Sequence, residues 1–197
     1  MQIEASALSV ERGGRIIFAG LDFRLAAGEA LLVKGPNGAG KSTLLRAFAG
    51  FLPLAAGAIA ITPETEARRA ELCHYIGHAD ALKPALTLAE NLSFYSALLG
   101  GGGIERALVR LGLTGIADLP AGYLSAGQKR RVALARLVAI ARPIWLLDEP
   151  LTALDAKSQI VVGELMQEHL AEGGCILAAT HTPLPVAARD LTLGHPA

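Results

Sequence analysis

Surplus charge is the first thing missing from this sequence. Lysine plus arginine number 18, aspartate plus glutamate number 18, and the formal net charge is zero. A strongly basic nucleic-acid binder shows an excess of positive charge, so no nucleic-acid partner is expected. Cysteine is nearly absent. Cys73 and Cys175 stand far apart, with neither metal-ligand spacing nor a disulfide framework, which suits a reducing compartment. Long apolar runs are missing too. The longest uncharged stretch, residues 47–63, is broken by Gly50, Pro53 and Gly57 and falls short of the ~20 residues a spanning helix needs. The opening Met-Gln-Ile-Glu-Ala has no basic n-region or apolar h-region, so no signal peptide is predicted. Yet 52% of the 197 residues are hydrophobic and only 18% are charged, which excludes disorder. The length fits one domain able to bury a core without disulfides or metals.

Apolar patterning places the elements. Residues 3–10 are β-compatible, and Leu21-Asp22-Phe23-Arg24-Leu25 alternates with period two. Ala30-Leu31-Leu32-Val33 reads as a strand buried on both faces. A Gly-rich loop and a helical pattern over residues 42–49 come next. Residues 58–61 and 72–77 are further strand candidates. Residues 86–141 read mostly helical, with Gly100 to Gly103 as a flexible loop between two helices or, alternatively, a hinge. Strand patterning returns at Ile144-Trp145-Leu146-Leu147 and at Cys175-Ile176-Leu177-Ala178-Ala179, with a helix over residues 155–170 between them. Alternating strands and helices imply βαβ units and a mostly parallel sheet, interrupted by the helical middle.

Three segments carry chemistry. Gly35-Pro36-Asn37-Gly38-Ala39-Gly40-Lys41-Ser42 matches G-x-x-x-x-G-K-[ST], the phosphate-binding P-loop. Its glycines let the backbone curl until N–H groups point at phosphate oxygens, and the next helix turns its positive end to the same anion. In such a loop Lys41 reaches the β- and γ-phosphates and Ser42 ligates Mg2+. The flanking strand and helix patterns separate it from an ordinary Gly-rich turn. Next, Asp148-Glu149 ends an apolar strand, at the edge where open α/β sheets bind ligands. Asp148 suits holding Mg2+, directly or through water, and Glu149 suits taking a proton from the attacking water or orienting it. Strands often end in acids, so this pair gains its meaning from the P-loop upstream. Third, Leu124-Ser125-Ala126-Gly127-Gln128 precedes Lys129-Arg130-Arg131 and a helix. Taken alone, Ser125 could simply cap that helix; it also offers a second helix N-terminus with a free hydroxyl.

In this order the three segments resemble ATP-binding cassette (ABC) ATPases. Leu124 to Gln128 is similar to their L-S-G-G-Q signature, with Ala126 in place of the first glycine. Leu151-Thr152-Ala153-Leu154-Asp155 resembles the family's D-loop, and His181 its switch histidine, which contacts the γ-phosphate. The resemblance implies an α/β fold: a P-loop NTPase (RecA-like) core with an N-terminal antiparallel β subdomain and an inserted α-helical subdomain. It implies one ABC domain over residues 1–197, with a core of about 1–80 and 138–197 and an insertion of about 81–137. ATP and Mg2+ are the implied cofactors. Gly35 to Ser42 and Thr43 would hold phosphate. Ser125 and Gly127 would act across a head-to-tail homodimer, on nucleotide bound to the partner's P-loop, and Gln128 and Asp155 join the nucleotide-binding set.

Two departures narrow the branch. The family's usual glutamine falls at His78, in Tyr75-Ile76-Gly77-His78, and an imidazole either keeps its role at the metal and water or does not. The adenine-stacking aromatic falls near Arg12, whose guanidinium can stack on a purine; Phe18 is the aromatic alternative. Glu11-Arg12, Gly77-His78 and Leu88-Ala89-Glu90-Asn91-Leu92-Ser93-Phe94-Tyr95 resemble the CcmA family, the ATP-binding subunits of the haem-handling exporter in cytochrome c maturation. That resemblance implies integral membrane partners of CcmB type and a peripheral place on the cytoplasmic face of the inner membrane. Residues 84–95 would lie near the contact. Direct haem ligation by Cys73, His74 or His78 is not expected. A soluble ABC ATPase would bring tandem cassettes, a coiled-coil insertion or basic arms, and a metabolic kinase would leave the signature, Asp155 and His181 without a role.

Overall fold

The apolar runs form strands because each has two faces to bury. The structure, a computed structural model, describes residues 1–194. In chain order it contains β1 (Gln2–Arg12), β2 (Arg15–Ala26), β3 (Ala30–Lys34), α1 (Lys41–Phe48), β4 (Ala56–Thr62) and the short α2 (Arg69–Leu72). Then come β5 (Cys73–Ile76), α3 (Leu88–Leu99), α4 (Ile104–Arg110), α5 (Ala126–Ala139), β6 (Ile144–Asp148), α6 (Ala156–Ala171), β7 (Cys175–Ala179) and β8 (Arg189–Thr192). Strands β2-β1-β4 make an antiparallel sheet, and β5-β6-β7-β3-β8 make a parallel one.

Side chains of the parallel strands alternate between two cores. Trp145, Leu147, Ile176 and Ala178 face a core shared with Val132 and Leu134 of α5 and Val162 and Met166 of α6. Leu146, Cys175, Leu177 and Ala179 face the other, filled by Leu44, Leu45 and Phe48 of α1 and by Ile3 and Leu25 of the antiparallel sheet. Period-two alternation between two apolar environments explains strands that read as unbroken hydrophobic runs. It also accounts for the high apolar content without a membrane span. No helix among the described residues is long and apolar enough to cross one.

The helices start where side chains satisfy their first amides. Thr87 Oγ1 accepts from the Glu90 amide while Glu90 accepts from the Thr87 amide, a reciprocal cap for α3. Ser125 and Gln128 do the same for α5, and Asp155 caps α6 through the Ser158 amide. The four-glycine stretch is tied down rather than loose. Gly100 and Gly101 donate to Ser96 O, and Gly102 and Gly103 donate to Ala139 O at the end of α5.

Two histidines, His74 buried and His169 half-buried, lie on the edges of this core. Trp145 and His169 stack with ring centroids 3.9 Å apart and planes 10° from parallel. His74 is 4% exposed and donates from Nε2 to Ile140 O at 2.7 Å. Burial pushes its imidazole down to about 4, with Arg136, Arg142 and His169 adding repulsion. The folded chain thus keeps His74 neutral to about pH 4, whereas an unfolded histidine takes a proton below ~6.5. Between those values the unfolded state binds the extra proton, so stability falls as pH drops from ~6.5 to ~4, by about 3 kcal/mol in full. Urea midpoints measured from pH 8 to pH 4 check this. His74→Gln should show a shallower acid limb than the parent, even if it is weaker at pH 8.

Candidate functional site

Three strand ends build the site. β3, β7 and β6 run in register, with Val33 beside Ala179 and Ala179 beside Asp148. The loops leaving these three strands therefore emerge at one edge of the sheet. After β3 the chain turns through residues 35–40 into α1. Gly40, at the helix start, has φ 95°, and a Cβ there would stand 2.6 Å from Ile17 Cγ2, so only glycine fits. Lys41 Nζ donates to Gly35 O at 2.8 Å and Pro36 O at 3.1 Å, which lays the ammonium across the loop mouth. Ala39 is buried beneath the loop, while Asn37, Gly38, Ser42 and Thr43 line its open side.

After β6 come the acids. Asp148 is 5% exposed at the strand end. Glu149 sits at φ 50°, a left-handed conformation that costs a side-chain-bearing residue roughly 1–2 kcal/mol. Its amide donates to Ala179 O at 2.7 Å, and its carboxylate accepts from Thr180 Oγ1 at 2.8 Å. His181 Nε2 lies 3.9 Å from the other carboxylate oxygen. Opposite stand His78, from the loop after β5, and Arg12 and Ile17 of the antiparallel sheet. These groups enclose a cleft of about 350 Å³. Amides and an ammonium on one wall and carboxylates on the other suit a polyphosphate with a divalent cation. Ser42 and Asp148 offer only oxygen donors, as Mg2+ prefers. No group of three or more His, Cys, Asp or Glu side chains gathers to cage a metal among the described residues, so phosphate oxygens and water would complete such a shell.

The signature lies outside this cleft. Ser125 Oγ accepts from the Gln128 amide at 3.2 Å, which uses an acceptor and leaves the hydroxyl proton free to donate. A Cβ on Gly127 would stand 2.8 Å from Ala153 O, so the signature and the residues before Asp155 pack directly together. That contact explains the alanine at the first glycine position: Ala126 is exposed, whereas Gly127 has no room. Ser158, by hydroxyl and amide, holds the Asp155 carboxyl below the usual range.

The family model described as "ABC transporter" matches residues 18–152. The "Cytochrome c biogenesis ATP-binding export protein CcmA" of Nitrobacter winogradskyi is 53% identical over 98% of both chains. The chain belongs to the ABC transporter family, in its CcmA branch. The CcmA protein of Rhodopseudomonas palustris strain BisB18 is 54% identical over the same share of both chains. Among solved structures, an ATP-binding subunit of an ABC transporter superposes with a TM-score of 0.84 at 26% identity, covering 92% of this chain and 80% of that one. As a family member this chain binds and hydrolyses ATP and works with membrane subunits of a transporter.

The structure thus gathers Lys41, Ser42, His78, Asp148, Glu149, His181 and Arg12 around one cleft and leaves Ser125, Gly127, Gln128 and Asp155 apart from it. Phe18 is 4% exposed within the core, whereas Arg12 lines the cleft. Sequence reading misses Thr180, whose hydroxyl grips Glu149; Thr-His-Thr at a strand end is its signal. Gly127→Ala should lower ATP turnover by an order of magnitude or more and the melting temperature by several degrees, as overpacking by about 1–3 kcal/mol does. Ala126→Gly should leave turnover within about twofold, since Ala126 is exposed. Phosphate release and thermal melts of both variants decide it.

Proposed function

We propose that this chain is the ATP-hydrolysing subunit of the haem-handling exporter of cytochrome c maturation. The observation that carries this reading is identity of about half the residues over nearly the whole chain to proteins named for cytochrome c biogenesis export. It works at the cytoplasmic face of the inner membrane, as a head-to-tail homodimer docked on integral subunits of CcmB type. The insertion, residues 81–137, carries the docking surface. Phe94 and Leu98 on α3 are exposed apolar residues at the C-terminal end of the contact segment 84–95 and just past it. Buried Asn91 braces that segment through bonds to Lys83, Leu86 and Thr87.

The loop amides and Lys41 bind the β- and γ-phosphates, with Gly35, Pro36, Asn37, Gly38, Ala39, Gly40 and Thr43 shaping the cradle. Mg2+, when held by Ser42 and Asp148, neutralises phosphate charge. Glu149 accepts the proton of a water whose oxygen attacks the γ-phosphorus; the bond to the β–γ bridging oxygen breaks and ADP leaves. His181 and His78 flank the γ-phosphate, and Arg12 stacks on the base. Ser125, Gly127 and Gln128 complete the partner's site, with Asp155 at the contact. Their distance from their own cleft supports that arrangement, because a γ-phosphate bound there has no second set of donors above it.

Glu149→Gln should bind ATP yet release phosphate at least ~100-fold more slowly, the scale of a lost general base. Cells carrying it in place of the parent should lack mature c-type cytochromes; normal levels would overturn the export reading. Lys41→Ala should weaken ATP binding by at least ~tenfold, as loss of a charge-assisted phosphate contact does; titration with a fluorescent ATP analogue measures it.

A further inference from the structure

Arg130 belongs to none of the motifs, yet its guanidinium is fully engaged in the interior. It lies on α5, five residues past Ser125, and is 4% exposed. A guanidinium has five N–H donors, and all five are used. Nε donates to Pro150 O at 3.3 Å. Nη1 donates to Gly77 O at 2.8 Å and Asp80 Oδ1 at 3.2 Å. Nη2 donates to Asp148 O at 2.8 Å and Glu149 O at 2.7 Å. A buried cation is tolerated only when its desolvation is offset in this way.

The acceptors are what matter. Three are the successive carbonyls of Asp148, Glu149 and Pro150, and one is the carbonyl just before His78. Glu149 is the residue held at φ 50°. Relaxing that strain would swing its carbonyls and its side chain together. Gripping the carbonyl before it, its own, and the one after it blocks that rotation. The carboxylate is then delivered to Thr180 and His181. The same guanidinium ties this turn to α5, whose N-cap is Ser125. Lysine cannot substitute, because three donors at a point cannot span acceptors in two loops.

We propose that Arg130 is a positioning residue for Glu149, fixing its strained backbone and linking the carboxylate to the helix that bears the signature. The proposal rests on the reading of Glu149 as general base. The test is a double-mutant cycle on the full chain in complex with its membrane subunits. Arg130→Lys and Arg130→Gln are each made with Glu149 intact and on Glu149→Gln. Turnover, ATP affinity and melting temperature are measured, with assays run well below the melt; Arg130→Lys keeps a cation in place should Arg130→Gln fail to fold.

With Glu149 intact, Arg130→Lys should lower kcat by ~10- to 100-fold, the scale of a misplaced reacting group, while ATP affinity stays within about threefold. On Glu149→Gln the same change should alter the residual single-turnover rate by less than about threefold, because the group it positions is gone. Unchanged kcat in Arg130→Lys overturns the proposal. So does an equal fold-loss on both backgrounds, or a kcat loss matched by lost ATP affinity, since a merely structural arginine would give these. If Glu149→Gln alone turns over normally, the general-base reading falls and this proposal with it. Failure confined to the Arg130 arm leaves that reading standing.

Discussion

The cleft depends on the backbone ladder that β7 shares with β3 on one side and β6 on the other. Ala179 is the common rung, level with Val33 and with Asp148. Because of that rung the phosphate loop and the paired acids leave the sheet at the same height. A slip of one residue in either ladder would turn Leu146 or Leu177 into the wrong core and carry Asp148 off the edge. The side chains make such a slip costly, since every residue of β6 and β7 is buried.

The two cores have different duties. The one containing α1 presses the antiparallel sheet onto the phosphate loop, so that Ile17 and Phe18 abut Gly40 and bring Arg12 to the cleft rim. The other core seats α5 against β6, close enough for Arg130 to reach the carbonyls of the acidic turn. Distances at the acids are therefore set from both faces of one sheet.

The legible part of the sequence is local. The phosphate loop, the acidic strand end and the caps at Thr87, Ser125 and Asp155 depend on neighbours a few residues away, and their spacing can be read directly. β8 leaves no trace because Arg-Asp-Leu-Thr is short and mostly exposed, with no alternation to detect. Only the second half of β2 shows in the pattern, since Gly20 interrupts it. That Phe18 enters the core while Arg12 reaches the cleft is a tertiary fact. Arg130 and Thr180 draw their importance from acceptors distant in sequence. For Arg130 there is still a trace: a cation in line with the buried Ala133, Leu134 and Leu137 of its own helix.

The strand that ends in Asp148 carries the chain's single tryptophan near its start. Trp145 is 5% exposed and lies flat against His169, at the end of β6 away from the cleft. The protein thus contains a single indole, fixed to the strand that delivers Asp148 and outside the lining of the cleft. Its emission reads the condition of that strand free of background from other indoles, so events at the cleft that strain β6 become visible as light.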